Sequence, residues 1–161
     1  MDHRKGVRVE RIKVGAQAPT MVLPDQNKET VTLASLKGKR VLLSFHPLAW
    51  TGVCQRQMEA LEMNVDVLAE LNTVALGISV DPVPSKAAWA ESIGVKRTKL
   101  LSDFWPHGEF AASLGLFRKQ GGISERASII LDEQGVVRSV TVHPMGEAPD
   151  MNELLETLRN L

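Results

Sequence analysis

The sequence predicts an α/β fold built on a mixed central sheet that carries helices on both of its faces. Two short apolar runs, at residues 41–45 and 73–80, are typical of strands that are buried on both sides. A helical pattern of apolar residues lies between the two runs. Later in the chain, two strand patterns flank the turn Glu133-Gln134-Gly135, which indicates an antiparallel hairpin. The sheet is therefore expected to contain both parallel and antiparallel neighbours.

The first elements form a β-α-β unit. The strand at 41–45 follows a turn at 37–39, and residues 47–54 after it are irregular. The helix that follows places five apolar residues on one face, at spacings of four, three, four and three: Cys54, Met58, Leu61, Val65 and Leu68. The second strand, at 73–80, ends at Asp81-Pro82. Because a crossover helix joins the two strands, we expect them to be parallel.

The second half of the chain is predicted to continue with a helix, a strand, a helix, the hairpin and a last helix. The first of these helices is expected to start after Pro84, with Ser85 as a possible cap, and to end before Gly94. The other elements are a strand at 99–102, a helix at 109–114 that Gly115 stops, strands at 126–132 and 136–142, and a helix at 151–161. This order of elements matches the thioredoxin-like fold.

Composition and charge restrict the class of protein. The chain has 161 residues, which suits one domain spanning residues 1–161, and 19 lysines and arginines balance 19 acidic residues. A net charge of zero provides no basic surface for nucleic acid or an anionic membrane. No apolar stretch reaches the roughly 18 residues of a membrane span, and residues 1–6 lack the apolar segment of a secretory signal. We therefore expect a cytoplasmic protein with no nucleic-acid or membrane partner.

Cys54 is the one cysteine of the chain, which excludes an intrachain disulfide, a site with several thiolate ligands and a C-x-x-C redox pair. Its place on an apolar helix face has two interpretations. A lone cysteine there is often a small and inert core residue. If Thr51 caps the helix, however, Cys54 is its third residue, where unpaired N–H groups and the helix dipole favour a reactive thiolate.

Two neighbours of Cys54 also have two interpretations each. Thr51 is either an N-cap alone or a hydroxyl within reach of an oxygen that approaches the sulfur. Pro47 either ends the preceding strand or keeps the loop over the sulfur stiff and partly dry. Neither residue type decides between its alternatives alone.

Taken together, residues 47–54 resemble the P-x-x-x-T-x-x-C signature of the peroxiredoxins (the AhpC/TSA family). Arg126, which opens a predicted strand, matches the second active-site marker of that family. Three further segments are similar to the family: 15–19 to its G-x-x-A-P motif, 33–45 to its approach to the active site, and 102–108 to its one-cysteine, AhpE-like subgroup. The resemblance covers roughly residues 14–142 and includes the thioredoxin-like fold.

The resemblance implies a thiol-dependent peroxidase that reduces hydrogen peroxide and organic hydroperoxides. Cys54 would be the peroxidatic thiolate, which cycles through a sulfenic acid. Arg126 would favour the thiolate and donate hydrogen bonds to the peroxide. Thr51 would hold the peroxide oxygens, aided by the backbone N–H groups of Val53 and Cys54, and Pro47 would shield the site.

Two more residues are assigned to substrate binding by the resemblance. Gln57 would anchor the hydrogen-bond network of the site, although an exposed helical glutamine is the alternative. His46 would line the pocket, and a hydrogen-bonded core histidine is an equally good interpretation. His107 and His143 receive no chemistry, because neither has a partner at the spacing of metal ligands. No metal or other cofactor is expected.

The partners follow from the cysteine count and the resemblance. Without a second cysteine, the sulfenate has to be reduced by an external thiol, such as thioredoxin, a glutaredoxin-like protein or a low-molecular-weight thiol. The AhpE-like subgroup implies a homodimer, with the aromatic residues Trp50, Phe104 and Trp105 as candidate interface anchors or as simple packing residues.

Three other functions remain open to different degrees. Thiol–disulfide exchange is disfavoured, because Gln57 stands where a C-x-x-C motif requires its second cysteine. A redox sensor, in which the Cys54 sulfenate forms a mixed disulfide with a target, is compatible with the sequence. An inert assembly protein is disfavoured by the joint presence of Pro47, Thr51, Cys54 and Arg126.

Overall fold

The computed structural model describes residues 10–161, so the expectation about residues 1–6 lies outside the described part of the chain. The strands, in chain order, are β1 (Val22–Pro24), β2 (Thr30–Thr32), β3 (Arg40–Phe45), β4 (Thr73–Ser79), β5 (Lys99–Ser102), β6 (Phe117–Arg118), β7 (Ile123–Ser124), β8 (Arg126–Leu131) and β9 (Val137–His143). The α-helices are α1 (Gly52–Met63), α2 (Val65–Glu70), α3 (Val83–Ile93), α4 (Glu109–Ser113) and α5 (Met151–Arg159).

A five-stranded mixed sheet with the order β5-β4-β3-β8-β9 forms the centre of the fold. β3 pairs in parallel with β4, with Leu43 beside Leu76, and antiparallel with β8, with Leu43 beside Ile129. β8 and β9 form the predicted antiparallel hairpin. The parallel β-α-β unit and the mixed sheet that the sequence predicts are thus confirmed.

Apolar side chains cover both faces of the sheet, because successive residues of a strand point to opposite sides. Leu43 of β3 packs on one face with residues of α4 and of the β1–β2 hairpin, such as Phe110 and Val31. Its neighbour Leu42 packs on the other face, with residues of α1, α3 and α5. Helices therefore lie on both faces, as the sequence predicts, and α1 is held against the sheet by its apolar stripe.

The predicted helix after residue 54 differs from the structure, because it is divided into α1 and α2 at Asn64. The backbone of Asn64 leaves the helical region (φ −109°, ψ 13°), and its side-chain amide donates to the carbonyl of Ala60 at 2.7 Å. Asparagine competes for backbone groups in this way and favours helix ends. The stripe itself persists across the break, since Cys54 and Leu68 are both buried.

The start of α3 also differs from the prediction, which placed it after Pro84 with Ser85 as cap. The helix begins at Val83, and Pro84 lies in its first turn, where the missing N–H costs no hydrogen bond. Ser85 makes no cap, and its hydroxyl accepts a hydrogen bond from Trp50 Nε1 at 3.0 Å.

Two small hairpins, β1–β2 and β6–β7, were not predicted. Their strands have three and two residues, which is too short for a period of two to show in the sequence.

Among the described residues, no helix combines the length and the apolar character needed to cross a membrane.

Candidate active site

Cys54 is the third residue of α1, and Thr51 is the residue that precedes the helix. The cysteine is 1% exposed and belongs to the apolar cluster on its side of the sheet. Thr51 and Gly52, three and two residues before it in the chain, are exposed, and Val53 between them and Cys54 is partly buried. The position of Cys54 therefore combines the two interpretations. Its side chain is buried in the core, and it lies at the electropositive start of a helix.

Arg126, the first residue of β8, makes a polar contact with the sulfur. Its Nη1 lies 3.4 Å from Cys54 Sγ and 2.7 Å from Gln57 Oε1, and its Nη2 donates to the carbonyl of Met145 at 2.8 Å. The side chain is 3% exposed, and its Nε has no partner within residues 10–161. A guanidinium held by Gln57 and Met145 therefore faces the thiol, and its buried Nε–H is unpaired within residues 10–161.

Gln57 is a buried residue that orients this guanidinium, so the alternative of an exposed glutamine does not apply. Its Nε2 donates to Ser44 Oγ at 2.8 Å and to the carbonyl of Phe45 at 3.0 Å. With both amide hydrogens engaged on β3, Oε1 is directed at Arg126. Ser44 is a member of this network that the sequence analysis did not identify.

The loop between β3 and α1 carries Pro47 and Thr51. Pro47 is buried, and the Thr51 hydroxyl donates to the carbonyl of Leu48 at 2.8 Å. The threonine thus precedes the helix without a side-chain capping bond, and its oxygen keeps lone pairs that can accept a hydrogen bond. Val53, whose backbone N–H lies in the first turn of α1, is partly buried.

The structure places His46 in the interior, with 0% exposure. Its Nε2 lies 2.7 Å from Lys86 Nζ, and its ring centroid is 5.4 Å from that of Trp89. Burial, followed by the charge of Lys86, holds the pKa of His46 well below its ordinary value, so the ring is neutral. His46 is thus a core histidine that is hydrogen-bonded at Nε2, while its buried Nδ1 has no partner within residues 10–161.

Lys86 is a further buried polar residue that the sequence analysis missed. It is fully buried in α3, and burial lowers its pKa to about 7, although the charges of Asp81 and Cys54 act in the opposite direction. The signal that could have identified it is its helical spacing, because Lys86 shares an apolar face with Trp89, Ala90 and Ile93.

The other two described histidines have structural contacts. His107 Nε2 lies 2.7 Å from the carbonyl of Gly122, and His143 Nε2 lies 2.9 Å from Ser128 Oγ. In the described part of the chain, no group of three or more histidine, cysteine, aspartate or glutamate side chains is placed to hold a metal ion.

Several large apolar side chains are exposed in the loops that follow strands β3 and β5. Trp50 is 56% exposed, Phe104 46% and Trp105 82%. β3, β4 and β5 are parallel, so the loops after β3 and β5 leave the same end of the sheet. The exposed aromatic residues therefore lie at the end of the sheet that also carries the loop before Cys54.

Comparison with known proteins identifies one family. Residues 14–140 match the AhpC/TSA family. The chain is 39% identical over 151 residues to alkyl hydroperoxide reductase E of Mycobacterium tuberculosis, which covers 93% of this chain and 98% of the relative. It is 30% identical to a peroxiredoxin of Ignicoccus hospitalis, over 92% of this chain and 65% of that protein.

Solved structures show the same architecture. The reduced 2-Cys peroxiredoxin of Plasmodium vivax superimposes with a TM-score of 0.83 at 27% identity, covering 92% of this chain and 81% of that chain. AhpC of Enterococcus faecalis superimposes with a TM-score of 0.83 at 24% identity, covering 91% of this chain and 90% of that chain. At this identity the similarity shows a shared fold.

Proposed function

The chain belongs to the AhpC/TSA family and is a thiol-dependent peroxidase of the one-cysteine type, and we propose that Cys54 is its reacting thiolate. The observation that carries this assignment is the 3.4 Å contact between Arg126 Nη1 and the sulfur of Cys54. A guanidinium at this distance can donate a hydrogen bond to the sulfur and to a substrate oxygen that approaches it.

The proposed reaction is a displacement on the peroxide. The thiolate sulfur of Cys54 attacks the terminal oxygen of the hydroperoxide, forming an S–O bond as the O–O bond breaks. The leaving alkoxide or hydroxide takes up a proton as alcohol or water, and the sulfur becomes a sulfenic acid. Negative charge moves from sulfur to oxygen in this step, so donors that are already oriented lower the barrier.

The residues around the sulfur supply these donors and acceptors. Arg126 retains an unused N–H at Nε, and the backbone N–H groups of Val53 and Cys54 open the helix. Thr51 accepts a hydrogen bond from the peroxide through the oxygen whose hydrogen is given to Leu48. Pro47 contributes rigidity and no N–H to the loop. We assign Gln57 to holding Arg126 and His46 to supporting the loop from inside.

The sulfenic acid of Cys54 is proposed to react with an external thiol. The 161-residue sequence holds no second cysteine that could form an intrachain disulfide. Thioredoxin, a glutaredoxin-like protein and a low-molecular-weight thiol are the candidate reductants. This requirement for thiols favours a cytoplasmic location, because that compartment maintains a reduced thiol pool.

We also propose a homodimer that buries the exposed aromatic residues near the site. Trp50 and Trp105 are 56% and 82% exposed, which is unusual for tryptophan on the surface of a monomer. Sedimentation at micromolar concentration is expected to give a dimer, and Trp105→Ser is expected to weaken it. A monomeric wild-type protein would contradict this proposal.

Peroxide consumption with a panel of thiol reductants tests the proposed function. Wild-type protein is expected to turn over many equivalents of peroxide with at least one reductant, whereas Cys54→Ser consumes none. Consumption that stops, with every reductant, after the one to three equivalents that the Cys54 sulfur itself can take up would instead favour the redox-sensor alternative, in which the sulfenate is passed to a target protein.

A further inference from the structure

A chain of buried polar groups lies behind the loop that precedes Cys54. Its centre is Lys86, a fully buried residue of α3 whose Nζ lies 2.7 Å from His46 Nε2 and 2.7 Å from Ser79 Oγ. The hydroxyl of Ser79 donates to Asp81 Oδ2 at 2.6 Å. His46 directly follows β3, and Ser79 is the last residue of β4. The ends of two neighbouring parallel strands thus meet at the amino group of Lys86.

This chain reaches the active-site loop at two points. His46 directly precedes Pro47. Asp81 Oδ2 accepts a hydrogen bond at 2.8 Å from the backbone N–H of Ala49. The loop is therefore anchored at both points through groups that contact Lys86 or Ser79, in addition to the backbone hydrogen bond from His46 to the carbonyl of Ile78 at 3.0 Å.

Lys86 also interacts electrostatically with the reacting sulfur. The charge of Cys54 raises the pKa of Lys86, although burial has the larger effect and brings it to about 7. Because unlike charges attract, a charged amino group and a charged sulfur stabilise each other. The other charged groups that act on this cluster are Asp81, which favours the charged lysine, and Arg126, which together with Lys86 keeps His46 neutral.

We propose that Lys86 is a positioning residue for the reaction of Cys54, because its buried amino group fixes the active-site loop and adds a positive charge to that of Arg126. The inference rests on the proposed role of Cys54 as the reacting thiolate. In its charged form, the amino group donates to the neutral His46 ring and to Ser79. In this charged state, the two hydrogen bonds and the positive charge are present together.

The test measures thiolate formation and peroxide reduction separately. Because Cys54 is the one cysteine, alkylation by iodoacetamide reports on it alone. Lys86→Met removes the charge and the hydrogen bonds at similar volume, whereas Lys86→Gln removes the charge and keeps an N–H donor. The matched control is Lys96→Met, which removes an equal charge from an exposed position.

Both Lys86 variants are expected to shift the midpoint of the alkylation pH profile upward by about half to one pH unit, and Lys96→Met leaves it unchanged. At high pH, where every variant is thiolate, Lys86→Met is expected to reduce peroxide several-fold more slowly than Lys86→Gln, because its loop has lost the lysine contact.

Unchanged midpoints in folded Lys86→Met or Lys86→Gln protein would refute the electrostatic role. Equal peroxide rates at high pH for wild type and both variants would refute the role in positioning. If Lys86→Met does not fold, the midpoint of Lys86→Gln still decides the electrostatic role, and its rate at high pH relative to wild type decides the positioning role. A wild-type protein that is alkylated normally but consumes no peroxide would instead refute the proposed function.

Discussion

At the scale of single residues, the guanidinium of Arg126 contributes geometry as well as charge. Nη1 contacts both Cys54 and Gln57, and Nη2 holds the carbonyl of Met145. A lysine amine is a point charge on a flexible stem and cannot occupy all of these positions at once. A substitution of Arg126 that keeps the positive charge is therefore still expected to slow peroxide reduction, because the N–H donors lose their orientation.

Arg126→Lys is thus expected to lower kcat/KM for hydroperoxide by about ten- to a hundredfold, because the planar donor fork is lost while the charge remains. Rapid-mixing measurements of peroxide consumption with saturating reductant check this. Arg138→Lys is the matched control, since Arg138 is an exposed residue of β9 whose side chain lies 3.7 Å from Asp132. A wild-type rate in Arg126→Lys would show that a positive charge alone is sufficient.

At the scale of elements, Glu62 near the end of α1 joins this helix to the turn before β5. Its carboxylate accepts hydrogen bonds from the backbone N–H groups of Lys96, Arg97 and Thr98, at 2.9 to 3.1 Å. Burial tends to raise the pKa of Glu62, but the three amides outweigh it and hold the pKa below 4.5. A lowered pKa means that this contribution to folding is present above pH 4.5 and is lost as the pH falls through the folded value.

Glu62→Gln is expected to reduce the free energy of unfolding by about 1–2 kcal/mol at neutral pH, because one neutral carbonyl replaces two charged oxygens. The difference from wild type should shrink in acid, where Glu62 becomes protonated. Urea denaturation at neutral pH and below the lowered pKa measures both values, with the exposed Glu70→Gln in α2 as control. A loss of equal size at both pH values would contradict the electrostatic explanation.

The elements that the sequence predicted are those whose side chains repeat with a clear period. The apolar run of β3 and the stripe that starts at Cys54 are both buried as expected. The break at Asn64 and the short hairpins depend on local hydrogen bonds that no period reveals. In the site, the positions of Thr51 and Arg126 follow from a motif, whereas the contact from Gln57 to Ser44 depends on how α1 crosses β3.

At the scale of the whole molecule, Lys86 links stability to pH. Its pKa is about 7 in the folded chain, against an ordinary value of 10.5. Between these values the unfolded chain binds one more proton, so the wild-type free energy of unfolding gains a contribution as the pH rises. A buried lysine that carries charge at neutral pH therefore costs stability at the pH at which it would assist the thiolate.

The stability of wild type relative to Lys86→Met is accordingly expected to increase from pH 7 towards pH 10.5. Chemical denaturation over this range tests the prediction, with Cys54→Ser introduced into both proteins so that no thiol titrates. Lys96→Met in the same background should give a difference from wild type that does not depend on pH. A difference that is also constant for Lys86→Met would mean that Lys86 keeps an ordinary titration in the folded chain.

The last prediction follows from the presence of one cysteine in the whole chain. After the first turnover, no second thiol can convert the Cys54 sulfenate to an intrachain disulfide, so a further peroxide competes with the external reductant. Each additional peroxide transfers one oxygen to the sulfur and leaves as water or alcohol, giving first the sulfinic and then the sulfonic acid. These forms are not restored by simple thiols, so the enzyme should be inactivated whenever peroxide exceeds reductant.

Excess hydroperoxide without reductant is therefore expected to raise the intact mass by two or three oxygens, all on the peptide that contains Cys54, and activity should not return when thiol is added later. Reductant supplied before the peroxide should preserve both the mass and the activity. Cys54→Ser should gain no oxygen at this peptide under the same treatment. If wild-type Cys54 stayed at the sulfenate stage in prolonged excess, the buried site would have to exclude a second peroxide; an unmodified thiol in an active enzyme would show that another residue reacts.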